Sequence, residues 1–303
     1  MTSRTIPFYF VDVFAASRYA GNPLAVFEKA GSLDGNQMQQ IAREVNFQET
    51  TFITGGSLDT GFDVRIFTPE YEVPFAGHPS LGTAYVLANY IAHSGKTPLT
   101  LKLIVGPIEL TWQEETIWLR TAPPQFGSSY SQEELASLLH ITPAALPEHK
   151  SIEWVSTGLP YLIVPVHSLD TMRALRLEAT EVENWLIRHH LHTSNSPDGL
   201  TTSFYCYCKE TYEATNQLNA RMFCLERGRI IEDYATGSAA SCLLAYLLKN
   251  RSTSATNLRV RLEQGYEVGR PSLIELDGHV NDNQYSLRIG GQVHFVAKGE
   301  WTV

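Results

Sequence analysis

Several chemistries are excluded by what this chain does not contain. Its four cysteines, Cys206, Cys208, Cys224 and Cys242, form no C-x-x-C pair, so neither a disulfide framework nor a thiolate zinc site is indicated. No G-x-G-x-x-G follows a strand, and there is no G-x-S-x-G elbow for an acyl-transfer serine. Gly77 to Thr83 has the outline of a phosphate loop, but Gly82 is followed by Thr83 where the lysine is required. Charged residues make up only 18%, and the net charge of −9 argues against nucleic acid or an anionic membrane as partner. Ile6 to Phe14 is apolar but short and broken by Asp12, so it reads as a strand rather than a leader or membrane span. Reduced thiols in a cytoplasmic setting are expected.

The 303 residues present are 43% hydrophobic, enough for real cores and, as a prior, two domains. Two distant segments say nearly the same thing. Phe75-Ala76-Gly77-His78-Pro79-Ser80-Leu81-Gly82 runs into an apolar stretch to Ile91, and Ala235-Thr236-Gly237-Ser238-Ala239-Ala240 runs into one ending at Leu248. Arg65-Ile66-Phe67 precedes the first and Arg221-Met222-Phe223 the second. Gly21-Asn22-Pro23 and Gly158-Leu159-Pro160 each lead into an apolar run. This pattern reads as a duplication. Each half would aim a helix N-terminus, with its free N–H groups and positive dipole end, at a common cleft suited to a carboxylate.

Periodicity predicts an amphipathic helix over Asn36 to Asn46 and strands at Pro7–Phe14, Pro23–Phe27, Thr50–Thr54, Phe62–Phe67, Leu99–Val105, Ile108–Trp112 and Thr116–Arg120. Thr121 to Ser129, with Pro123 and Pro124, is the expected linker. Ser131 to Glu134 and Thr180 to Glu183 read as capping boxes. Ser203 to Cys208 alternates as a strand with Cys206 and Cys208 on one face, as buried thiols. The helices after the two glycine turns are apolar all round and therefore buried. The expected fold class is α+β, with two pseudo-symmetric lobes, each a curved, mostly antiparallel sheet around one central helix. The N-terminal lobe would cover residues 1–127, with strands from 285–303 returning to it, and the C-terminal lobe 128–284.

Glu49 lies between Phe47 and Phe52, where partial desolvation would raise its pKa toward the range of a general acid or base. On position alone, an exposed turn glutamate is the commoner reading. His78 precedes Pro79 near a helix start, where the dipole would keep the imidazole neutral. Asp233 reads as a cap, or as a cleft residue at an entrance equivalent to that of His78. Ser238 is the counterpart of His78 in the second repeat. Gly77, Ser80 and Gly237 complete the substrate-binding residues expected at the two helix openings. His189, His190 and His192 have no partners at metal-ligand spacing.

Taken together, Gly21-Asn22-Pro23-Leu24-Ala25-Val26, Glu49-Thr50-Thr51-Phe52, Phe67-Thr68-Pro69, Pro74-Phe75-Ala76-Gly77-His78, Glu232 to Ala240, and Gln264-Gly265 followed by Gly269-Arg270-Pro271-Ser272 resemble the PhzF family of phenazine biosynthesis-like isomerases. The resemblance implies a diaminopimelate epimerase-like fold with the site between two lobes, a homodimer, and proton shuttling without metal or organic cofactor. It implies Glu49 as acid/base and His78, Asp233 and Ser238 as supporting polar residues. The chain departs from the family in Tyr234, where proline is usual. Ala76 and Thr236 stand where related epimerases carry their opposed cysteines, which disfavours thiol-based epimerisation. The expected activity is isomerisation of a small carboxylate-bearing molecule. A non-catalytic small-acid binder and an amino-acid epimerase or racemase are the alternatives.

Overall fold

In the computed structural model, which describes residues 4–250 and 256–303, the chain is a mixed α/β fold with far more strand than helix. It divides into two compact units, Met1–Arg120 with Gly290–Val303, and Thr121–Ile289.

In the first unit, the apolar strand Thr5–Val13 lies between Asn22–Phe27 and Val293–Thr302, antiparallel to both. Helix Gly35–Val45, whose Met38, Ile41 and Ala42 are buried, connects Asn22–Phe27 to the parallel strand Glu49–Ser57. Gly61–Phe67 follows antiparallel, then pairs with the short Glu72–Val73 and, in parallel, with Leu99–Leu103. Helix Gly77–Val86 runs inside this unit, buried at every residue but Tyr85. A Cβ on Gly82 would come within 2.5 Å of Leu24 and 2.9 Å of Val13, so only glycine lets the helix approach those strands.

In the second unit, Ile152–Ser156 is antiparallel to Pro160–Pro165, which is parallel to Ser203–Cys208. Leu218–Glu226 follows antiparallel, and pairs with Arg229–Asp233 and, in parallel, with Asn257–Gln264. Helix Gly237–Lys249 is buried along most of its length and packs on strands of this unit. Helices Gln132–Leu138, Leu169–Ala174 and Ala179–Arg188 close a further core that includes Cys206 and Cys208. Burial pushes both thiols up to about 12, which leaves them protonated and unreactive.

The pairing register repeats between units. Leu24 lies opposite Glu49 as Tyr161 lies opposite Ser203. Thr50 opposes Phe67 as Phe204 opposes Phe223. Phe67 opposes Glu72 as Phe223 opposes Glu232. Side chains follow the same pattern. Arg65 grips Glu72 through two hydrogen bonds of 2.7 and 2.6 Å with its guanidinium over Phe67, and Arg221 grips Glu232 at 2.8 and 2.6 Å over Phe223. In both units the clamped glutamate stands five residues before the glycine that opens the central helix.

Two local expectations are corrected. The proline-containing linker shrinks, because Gln125–Tyr130 is a strand paired with Ile152–Ser156, a tertiary contact that its Gly-Ser-Ser composition did not announce. Thr180 does not cap a helix. Helix Ala179–Arg188 starts one residue earlier, after Glu178, and has no side-chain cap.

Candidate active site

Glu49 begins its strand directly after the turn Asn46-Phe47-Gln48, with Phe47 packed on Phe10. Its side chain is 20% exposed, and Oε2 stands 3.5 Å from His78 Nε2. His78 is the second residue of helix Gly77–Val86 and only 6% exposed. Burial lowers its pKa to about 3, partly opposed by a hydrogen bond to the Pro23 carbonyl, so the ring is neutral at ordinary pH. Neutrality was expected from the helix dipole; desolvation is the larger cause. Because Nε2 is the nitrogen turned to Glu49, the Pro23 bond falls to Nδ1, and the lone pair then lies on the Glu49 side.

The second group lies in the other unit. Asp233 ends strand Arg229–Asp233 and is nearly buried, and its Oδ2 accepts the Thr236 hydroxyl at 2.5 Å. Ser238 is the second residue of helix Gly237–Lys249, and its Oγ lies 2.7 Å from the Tyr161 hydroxyl. Burial raises the Tyr161 pKa far above its ordinary value, so this phenol keeps its proton. Ser80 is buried and donates to the Ala76 carbonyl at 2.7 Å, so its hydroxyl proton is engaged within its own helix.

The repeat also corrects one equivalence. With Gly77 matching Gly237, His78 matches Ser238, but Asp233 matches Val73, since Ile66 opposes Val73 as Met222 opposes Asp233. Asp233 therefore has no titratable counterpart in the first unit, and Glu49 falls opposite Leu24 where Ser203 falls opposite Tyr161.

The helix starts are informative. Asp34, Ser131 and Ser168 cap their helices by accepting backbone N–H bonds. The two central helices have no side-chain cap. Ala76 cannot supply one, and the Thr236 hydroxyl is turned to Asp233 instead. An alanine at this position costs about 0.5–2 kcal/mol relative to a capping residue. Their first N–H groups lack the usual side-chain acceptor, which is the arrangement an anionic ligand can complete.

The clamps, Tyr161, and the group Tyr205–Gln264–Thr236 behind Asp233 were not identified by sequence reasoning as part of the site. The only signals were the paired Arg-x-Phe segments and the Gln264-Gly265 dipeptide. Among the described residues, no group of three or more His, Cys, Asp or Glu is placed to hold a metal, and no helix is long and apolar enough to cross a membrane.

A sequence model described as phenazine biosynthesis-like protein (PhzC-PhzF) matches residues 11–299. An uncharacterized isomerase of Mesorhizobium japonicum is 32% identical, covering 98% of this chain and 99% of its own. A trans-2,3-dihydro-3-hydroxyanthranilate isomerase of Pseudomonas fluorescens is 34% identical, covering 88% of each. A crystal structure of a Bacillus anthracis phenazine biosynthesis protein of the PhzF family superposes with a TM-score of 0.86 at 26% identity, over 99% of this chain and all of that one.

Proposed function

The chain belongs to the PhzF family and is an isomerase, and from that premise we propose its reaction: movement of a proton within a small carboxylate-bearing substrate, with Glu49 as the acid/base. The observation that carries this reading is the contact of Glu49 with a neutral, buried His78 at the uncapped start of a helix. A general base must be ionised when it takes a proton and protonated when it returns it. A His78 lone pair facing Oε2 suits the protonated carboxyl, because it accepts from Glu49 and does not compete for the substrate. Desolvation keeps the ring from holding that proton itself. The carboxyl group is thus free to return it to a second carbon.

In this reading the halves are two pseudo-symmetric lobes of the diaminopimelate epimerase-like pattern. The N–H groups at Gly77 and at Gly237 are each open to a substrate carboxylate. Asp233 and Ser238 hold its polar substituents. No organic cofactor enters, since one carboxylate suffices to carry the proton. We further propose a homodimer working in the cytoplasm. The dihydro-hydroxyanthranilate acted on by the Pseudomonas relative is a carboxylic acid of the required kind and the first substrate to test.

The test is incubation with trans-2,3-dihydro-3-hydroxyanthranilate, and with related β,γ-unsaturated and α-amino acids, in D2O. Deuterium should enter product or recovered substrate, because a proton resting on Glu49 exchanges with solvent. Tight binding of such acids with no deuterium entering any of them would make the protein a non-catalytic binder. Inversion of an amino acid would return the epimerase reading, for which Ala76 and Thr236 supply no thiol.

A further inference from the structure

Behind the second helix opening lies a fully buried carboxamide whose orientation is fixed by the main chain. Gln264 Nε2 donates to the Asp233 carbonyl at 3.0 Å, and Oε1 accepts from the Thr236 N–H at 3.2 Å. Two backbone groups of opposite polarity therefore decide which end of the amide is nitrogen. The second Nε2 proton goes to Thr236 Oγ1 at 3.0 Å, and the Tyr205 hydroxyl donates to Oε1 at 3.0 Å. The amide then has a bond for each of its two protons and both acceptor positions. Having accepted from Gln264, Thr236 Oγ1 directs its own proton to Asp233 Oδ2. With Asp233 a carboxylate, the chain Tyr205, Gln264, Thr236, Asp233 has one permitted direction of donation.

The other unit supplies an internal control. Thr51, Leu103, Ala76 and Val73 occupy the positions of Tyr205, Gln264, Thr236 and Asp233. Thr51 follows from the strand pairing, Leu103 by continuing the register that sets Asp63 opposite Lys102 and Asn219 opposite Glu263. Three apolar side chains stand where the three members nearest the turn are polar, in the same strand frame. The frame does not require the chain of bonds. A buried polar network retained in only one of two copies, and ending on a candidate site residue, points to a task at that residue.

We propose that Gln264 is a positioning residue for Asp233. Acting through Thr236, it holds the Asp233 carboxylate in one orientation as a hydrogen-bond acceptor. This rests on Asp233 belonging to the substrate site, so the test has one arm that needs no substrate.

That arm reads the side-chain carboxyl 13C resonance of Asp233 in the full-length protein. Gln264→Met removes a group whose own bond to Asp233 is made to the main-chain carbonyl, yet it should shift this resonance in the same sense as Thr236→Val. Thr236→Ser, which keeps the hydroxyl, should restore it. If Gln264→Met fails to fold, Tyr205→Phe takes its place, with a smaller shift in the same sense. A resonance that responds to Thr236→Val but to neither Gln264→Met nor Tyr205→Phe overturns the proposal.

The second arm is turnover of trans-2,3-dihydro-3-hydroxyanthranilate. Thr236→Val and Gln264→Met should each lower kcat about tenfold with KM moved less than about threefold, the loss of one hydrogen bond to a charged group. The double variant should be no slower than the slower single one, because both break one chain. Multiplicative losses, or Thr236→Ser as slow as Thr236→Val, overturn the proposal. If the unaltered protein turns over none of the acids, the isomerase reading of the site fails, and the carboxyl resonance still decides the role of Gln264.

Discussion

Set against each other, the two units share a frame and differ in what it carries. Each has the same strand register, the same bidentate Arg–Glu clamp with a phenylalanine under the guanidinium, and the same glycine opening a buried helix. On that frame the first unit places Glu49 against His78. The second places Ser203 and Ser238 at those positions and puts its carboxylate elsewhere, at Asp233, over a buried amide. Residues that close the strands onto the helix opening were kept in both copies, while residues of the candidate site differ. A shared feature thus reports on folding, and an unshared one on function.

The sharpest break of this comparison is Glu49→Gln, which keeps shape and removes the proposed base. It should lower turnover by about 10³–10⁴-fold, the upper range for a general acid–base group, while acid binding measured by calorimetry survives. Undiminished turnover would remove Glu49 from the mechanism.

The clamps come next, because they are equivalent in geometry but not in burial. Arg221 and Glu232 are 8% and 13% exposed, against 35% and 24% for Arg65 and Glu72. Arg221→Met strands a largely buried carboxylate and should cost about 3 kcal/mol in urea unfolding. Arg65→Met leaves Glu72 within reach of water and should cost about 1 kcal/mol or less. Equal losses would show that burial does not distinguish the copies.

His78 gives the pH test, since Ser238 in the matching place has nothing to titrate. Its folded pKa of about 3 lies below the unfolded value of 6.5, so the unfolded chain binds the proton first. Its stabilisation is complete above pH 6.5 and is lost as pH falls toward 3. The slope approaches about 1.4 kcal/mol per pH unit, or roughly 2 kcal/mol between pH 7 and 5. In His78→Gln that part of the acid slope should vanish from the stability profile.

The smallest effect expected is at Ala76, whose extended backbone suits a cap. Ala76→Ser should stabilise the fold by about 1 kcal/mol and weaken acid binding, because the new hydroxyl occupies N–H groups assigned to the ligand. Tighter binding would remove that helix opening from the anion site.

Much of the frame was legible in the sequence. The spacing of Met38, Ile41 and Ala42 located a helix within a residue of its ends, and the alternation around Cys206 and Cys208 gave their common burial. Apolar residues on every side of the two glycine-opened helices gave their interior position. These signals are local, carried by neighbours on one element. What escaped notice depends on distant partners. Gln125–Tyr130 is a strand only because Ile152–Ser156 lies beside it. Asp233 was matched with His78 because both precede or open a helix, whereas strand register matches it with Val73. Gln264 meets Thr236 across intervening strand and helix, and no spacing rule announces such a bond.

The pairing of Thr5–Val13 with Val293–Thr302 has a consequence during synthesis. As the polypeptide leaves the ribosome, the segment Thr121–Ile289 emerges entire while the strand that flanks Thr5–Val13 has yet to be made. The later-emerging unit is thus the one able to finish first. Thr5–Val13 meanwhile presents an open hydrogen-bonding edge to the cell, the state in which strands capture wrong neighbours. Joining Thr5 to Thr302 also demands closure of one very long loop, a slow, high-contact-order event. Truncation just before Val293 should therefore leave a chain that collapses but aggregates, with protease resistance confined to Thr121–Ile289.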